Sequence, residues 1–173
     1  MSQIKYLQAD VGRILGKNKW RILILPFSRI FVGIFWYRVD RSLYLLMGEY
    51  YKIIRLLLSP FFLIIQFYTN IDIHYTSDIG PGLLILHPSV GIVVSGKIIA
   101  GKNLTLTGGN VIGMNENTGN IILGDNCTLG TNACIIGPLT LGNHIQIGAL
   151  ACVVKSFKQD NLTLVGVPAK ILI

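Results

Sequence analysis

Aliphatic residues return at every sixth position over the second half of the chain, at Leu123, Leu129, Ile135, Leu141, Ile147 and Val153. A second apolar residue follows four places after each leader, at Cys127, Ala133, Leu139, Ile145 and Ala151. Glycine comes directly after the leader at Gly124, Gly130, Gly142 and Gly148. A period of six fits neither an amphipathic helix, which repeats at about 3.6, nor a half-buried strand, which alternates at about 2. It fits a solenoid in which each hexapeptide lays down one short strand and one corner. The aliphatic side chain fills the interior, and glycine permits a turn that a side chain would obstruct. Val94, Ala100, Leu106 and Ile112 keep the same beat upstream, with Ile98 and Leu104 in the second position, and Ile73 and Ile79 open it. Two stretches, 83–91 and 113–122, break the beat. Loops that leave a coil carry function more often than its strands do. The coil is expected to run from near residue 71 to near residue 154, with residues 156–173 folding back along the last turns.

Residues 1–69 show no such repeat. Segments near 4–16, 20–37, 40–54 and 56–68 are rich in Leu, Ile, Arg and aromatics and read as helices, with Pro26 and Pro60 as starts or kinks. The expected fold class is therefore mainly β, a parallel β-helix preceded by a short α-helical region. The division falls between a helical, basic and aromatic region over 1–69 and a solenoid domain with its tail over 70–173.

Of the 173 residues, 51% are hydrophobic and only 13% charged, about half the usual share of charge. Such a chain either buries much of itself in an oligomer or touches a membrane. The formal charge is +7, and all of it sits on residues 1–69, where ten Lys and Arg face three acids. No nucleic-acid-binding motif accompanies those bases, which argues against nucleic acid as a partner. They are interleaved with Trp20, Phe27, Phe31, Phe35, Trp36, Tyr37, Tyr44, Tyr50 and Tyr51, a mixture that suits a membrane surface and equally suits packing between subunits. No segment reads as membrane-spanning: Arg21, Pro26 and Arg29 interrupt the first apolar run, and the run over 56–68 has 13 residues, short of the roughly 20 required. Asp10, Arg13, Lys17 and Lys19 precede the first apolar run, which argues against a secretory signal. The expected location is cytoplasmic, peripheral on the inner face of the membrane. The three cysteines read as free thiols, with Cys134 and Cys152 stacked on one face three hexapeptides apart, and no spacing resembles a zinc site.

Histidine occurs three times, at His74, His87 and His144. His87 follows the apolar run LLIL and precedes Pro88 in the first break of the repeat. Asp72 lies 15 residues earlier, slightly less than one coil of three hexapeptides, so stacking is expected to bring the two alongside. A carboxylate beside an imidazole fixes its tautomer and raises its basicity, which suits general-base work on a hydroxyl.

Residues 72–87, DIHYTSDIGPGLLILH, resemble the serine acetyltransferase group of the left-handed β-helix acyltransferases. That group carries Asp-Ile-His, then Ile-Gly-x-Gly, then a second His. GIVV at 91–94 and GVPAK at 166–170 match further motifs, so the likeness covers about residues 69–173. The resemblance implies a left-handed coil, a homotrimer and acetyl-CoA as acyl donor, with no metal. It implies that His87 is the catalytic base and Asp72 its orienting carboxylate. It places the donor in a groove between neighbouring subunits, against Gly113, Met114, Thr131 and Ala149, with Lys170 near its phosphates. His74 matches a family position but reads as structural, and His144 as a solvated corner residue.

The departures from the group bear on the acceptor. Leu86 stands where serine-specific members have an acid, and the loop MNENTGN at 114–120 lacks their Arg-His pair. One extra residue separates His87 from Gly91, and the large helical domain of those enzymes is replaced by the basic region 1–69. Without charged partners for an amino acid's carboxylate and ammonium, serine is a poor acceptor. Asn115, Asn117 and Asn120, with Glu116 and Thr118, suit sugar hydroxyls. The function expected is O-acetylation of a sugar or glycan intermediate of capsule or exopolysaccharide assembly. The alternatives are serine O-acetylation in cysteine synthesis, which the Leu172-Ile173 ending also resembles, and a non-catalytic scaffold, against which the retained Asp72 and His87 argue. A metal-dependent solenoid needs converging histidines, and His144 lies about three coils from His87.

Overall fold

Each aliphatic leader of the hexapeptide pattern points into the coil: Leu123, Leu129, Ile135, Leu141, Ile147 and Val153 are at most 2% exposed. The computed structural model describes residues 3–115 and 118–172, so Glu116, Asn117 and Ile173 lie outside the described residues. Short strands stack in register into three sheets that wrap a common interior. The first sheet holds Ile71–Ile73, Ile92–Val94, Asn110–Met114, Cys134–Gly137 and Cys152–Val153. The second holds Asp78–Ile79, Ile98–Ala100, Ile121–Leu123 and Leu139–Leu141. The third holds Leu84–Ile85, Thr105–Leu106, Thr128–Leu129, Gln146–Ile147 and Thr163–Val165, all parallel. Ile73, Val94, Ile112, Ile135 and Val153 form one such register row. Alternation along each strand sends one residue in and the next out, which is why Asp72 and Val93 face outward between buried neighbours.

The corners are set by residues that tolerate a left-handed backbone. Asn103, Asn126, His144 and Asn161 have φ of 60°, 59°, 55° and 60°, a region that Asn and His enter more readily than most side chains. The Asn103 amide donates to the Asn126 carbonyl oxygen at 2.9 Å, and His144 continues that ladder as an exposed corner residue. A Cβ on Gly124 would meet the carbonyl carbon of Gly142 at 2.6 Å, so the two coils close up there only because residue 124 lacks a side chain.

Two details differ from the expectation. Ile85 is wholly buried and continues the row begun by Ile73 and Ile79, so the first interruption is only 86–91. The coil also continues past residue 154. Thr163–Val165 pairs in parallel with Gln146–Ile147, and only Lys170–Ile171 folds back antiparallel.

Among the described residues four α-helices precede the coil: α1 (Gln3–Leu15), α2 (Arg29–Met47), α3 (Tyr51–Leu57) and α4 (Ser59–Thr69). The expected break between residues 37 and 40 does not occur; α2 is one helix of 19 residues. Its charged stretch marks a buried ion-paired face rather than a gap. Arg38 pairs with Asp10 at 2.8 Å, Arg55 with Asp40 at 3.0 Å, and Arg41 with Asp78 at 3.3 Å. Residues 19–27 form two short 3-10 turns, because Pro26 lacks the N–H a continuous helix needs. Ser28 then caps α2 by accepting the Phe31 N–H, and Gly48 at φ 59° ends it. Pro60 sits in the first turn of α4, where its missing donor costs nothing.

Candidate active site

The strand that leads to His87 is pinned by the helices. The Asp10 carboxylate, wholly buried, accepts the backbone N–H of Gly82 at 2.8 Å and of Leu83 at 2.7 Å. Arg38 donates to the carbonyls of Ile79 at 2.6 Å and Gly80 at 2.8 Å while pairing with Asp10. Such a network holds only when every member is satisfied. Leu84–Ile85 follows, and His87 then donates its backbone N–H to Thr107 O at 2.8 Å. Pro88–Val90 turns, and Gly91 at φ 80° returns the chain to the first sheet. The next coil passes close beneath: a Cβ on Gly108, at φ 143°, would lie 2.5 Å from His87 O. His87 is exposed at the edge where the third sheet meets the first.

Asp72 does not reach it directly. Its side chain leaves the first sheet in register with Val93 and is exposed, and among the described residues no hydrogen bond or ion pair joins it to His87. Asp72 instead borders a small cleft with Asp40, Arg55 and Gln66 beneath α2 and α4. His74 is occupied locally. Its ring stacks on Tyr75 at 4.4 Å and its Nδ1 lies 2.7 Å from Thr76 Oγ1. Burial, then the nearby Arg55 charge, push its imidazole below the ordinary value.

The residues implied in donor binding divide into two sets. Thr131 and Ala149 occupy the same edge as His87, on later coils, and Leu150 N–H donates to Thr131 O at 3.0 Å. Lys170, exposed, pairs with Val165 beside that edge, and Ala169 N–H donates to Cys152 O at 2.8 Å. With about 4.8 Å per stacked strand, Ala149 lies roughly 14 Å along the edge from His87. Gly113 and Met114 end the strand Asn110–Met114, with exposed Asn115 just beyond and exposed Asn120 just before Ile121–Leu123. At about 3.3 Å per residue, this strand holds the second set some 13 Å from the His87 edge. One chain therefore does not bring Gly113, Met114, Asn115 and Asn120 to His87. Asn117 lies outside the described residues.

Cys134 and Cys152 are partners in register on the first sheet, and all three cysteines are free. Among the described residues no three His, Cys, Asp or Glu side chains converge as metal ligands would. Sequence reasoning missed Asp10, Arg38 and Gly108. Asp10 shares the inward stripe of α1 with Gln3 and Ile14, and a charge on an inward stripe signals a buried partner. The Gly108-Gly109 pair signals a tight turn.

No protein-family model matches the sequence, and neither does any curated protein. Solved structures do. The serine acetyltransferase of Neisseria gonorrhoeae is 26% identical with a TM-score of 0.82, covering 99% of this chain and 66% of its own. The same enzyme in complex with serine is 26% identical with a TM-score of 0.80, covering 97% and 68%. A serine acetyltransferase in complex with CoA is 23% identical with a TM-score of 0.81, covering 99% and 70%. The chain thus spans about two thirds of the length of these enzymes. Its fold, a left-handed hexapeptide coil behind a helical region, is that of the serine acetyltransferase group of hexapeptide-repeat acyltransferases.

Proposed function

We propose that this chain is an acetyl-CoA-dependent O-acetyltransferase in which His87 is the general base. The observation that carries the reading is His87 itself, exposed at the head of an edge of stacked backbone corners. That edge, through Thr131 and Ala149 to Lys170, suits an extended thioester bound by backbone groups with its phosphates near a lysine. His87 takes the proton of an acceptor hydroxyl as the oxygen attacks the thioester carbonyl carbon. The C–O bond forms, the C–S bond breaks, and the departing sulfur takes the proton back from the imidazolium, leaving the ester and the CoA thiol. Charge on the carbonyl oxygen calls for nearby backbone N–H donors. Acetyl-CoA as donor makes the cytoplasm the place of reaction.

A homotrimer belongs to this reading. The two sets of binding residues lie on different edges of one chain, so a neighbouring protomer supplies Gly113, Met114 and the 114–120 loop to each His87. The acceptor is a sugar or glycan hydroxyl of capsule or exopolysaccharide assembly. Leu86 beside His87 and the amides of Asn115, Asn117 and Asn120 favour hydroxyl groups over a zwitterion. A second reading, serine O-acetylation, is favoured by the solved structures of similar fold, one of which holds serine. Thiol release from acetyl-CoA separates the two, with serine, simple sugars and glycan oligomers offered in turn. Release driven by saccharides supports the first reading, and release driven by serine alone supports the second. Absence of release with every acceptor contradicts both.

A further inference from the structure

The helix next to the coil, α4, is amphipathic the wrong way round for an isolated protein in water. On α4, Leu63, Ile64 and Phe67 are 62%, 69% and 88% exposed, while Gln66 and Thr69 lie on the packed side. A helix at a protein surface ordinarily does the reverse. Ile53 and Leu57 on α3 extend the same outward stripe, and residues 56–71 contain no charged side chain. Trp20, Leu23 and Phe27 on the 3-10 turns are also at least 67% exposed. They join the stripe, because Tyr68 OH donates to Phe27 O at 3.1 Å. Exposed Lys17, Lys19 and Arg21 fringe it.

We propose that this face docks in the plane of an anionic lipid surface, with α3, α4 and the 3-10 turns entering the acyl boundary and the basic fringe meeting the headgroups. An apolar face with a basic rim is the combination that binds such surfaces. Docking is in-plane because among the described residues no single helix is long and apolar enough to cross a membrane, and α4 bends 77° from the preceding helices. At about 1.5 Å per residue α4 is roughly 16 Å long, half of a bilayer's hydrocarbon core. Arg38, through the carbonyls of Ile79 and Gly80, and Arg41, through Asp78, hold α2 against the coil, and Asp40 ties it to Arg55 on α3. A second copy of this chain is the poorer occupant, since the exposed Lys17, Lys19 and Arg21 on the rim would be brought against like charges.

The face is tied to the candidate active site. Arg29 Nε donates to Tyr68 O at 2.8 Å and its Nη1 to Ser89 Oγ at 3.4 Å; Asn70 Nδ2 donates to Ser89 O at 3.4 Å. Ser89 is two residues past His87. Docking therefore brings the His87 corner to the headgroup level, where a hydroxyl carried on a lipid would arrive. The acceptor class, a lipid-borne saccharide, rests on the reading of His87 as a base; the docking does not.

Flotation of the full chain with phosphatidylglycerol-containing vesicles, against vesicles of phosphatidylcholine alone, tests the docking without turnover. The wild type floats with the anionic vesicles, and I64E/F67E reduces the floated fraction by about tenfold with an unchanged circular dichroism spectrum. K17E/K19E weakens flotation most at low salt. Failure of the wild type to float, or equal flotation of I64E/F67E, overturns the proposal. So does an I64E/F67E particle smaller than the wild type in the absence of vesicle binding, which would mean that a second copy covers the face. Flotation as stated without thiol release would leave the docking standing and remove the reading of His87.

Discussion

Asp10 on α1 accepts the backbone N–H of Leu83 at 2.7 Å, four residues ahead of His87. The same carboxylate holds Gly82 and Arg38, so the helical region fixes the coil that presents the imidazole. Removing one partner of a buried ion pair leaves the other uncompensated. Asp10→Ala is therefore expected to cost about 3–5 kcal/mol in urea unfolding. Replacing Arg38 by Met in the same chain should recover part of the loss. A cost under about 1 kcal/mol, ordinary for a surface substitution, would mean that the network does not anchor the coil.

His74 gives the fold an acid-sensitive step. Burial and Arg55 hold its folded value below the ordinary one, so on acidification the unfolded chain takes up the proton first. Stability is then complete above about pH 6.5 and falls as pH drops from there towards the lower folded value. Urea midpoints at descending pH should show this fall, and His74→Gln should flatten it. A slope unchanged by the substitution would assign the effect elsewhere.

In the proposed trimer, each site draws on two protomers, so variants of different edges complement one another. A Cβ at Gly113 meets only Ile136 at 3.8 Å and Val111 at 4.0 Å, so Gly113→Phe folds while obstructing a bound donor. His87→Ala and Gly113→Phe, each nearly inactive alone, should regain activity when co-expressed, in particles of three times the 19.1 kDa chain. Co-expressed chains no more active than either parent would place the whole site within one protomer.

The coil was legible because the inward leader of each hexapeptide is aliphatic, whatever the corners do. Ile85 escaped because the insertion after it removed the next leader. The helix boundaries were misplaced where Arg38, Asp40 and Arg41 looked like a solvated gap; their partners Asp10, Arg55 and Asp78 are distant in sequence, and pairing leaves no local pattern. His87 stood out by its place in a broken repeat. Its separation from Asp72 did not, because register along a coil says nothing of how far an inserted corner swings outward. The orientation of α4 was hidden as well: an apolar segment reads the same whether its aliphatics face the core or the exterior.

Thiol release from acetyl-CoA by His87→Ala, beside the wild type and with the acceptor that the wild type uses, tests the general-base role most directly. Turnover should fall by at least about 10²-fold, the usual loss on removing a general base, while particle mass and circular dichroism stay as they were. A substituted protein that releases thiol as fast as the wild type would show that the imidazole takes no part in the chemistry.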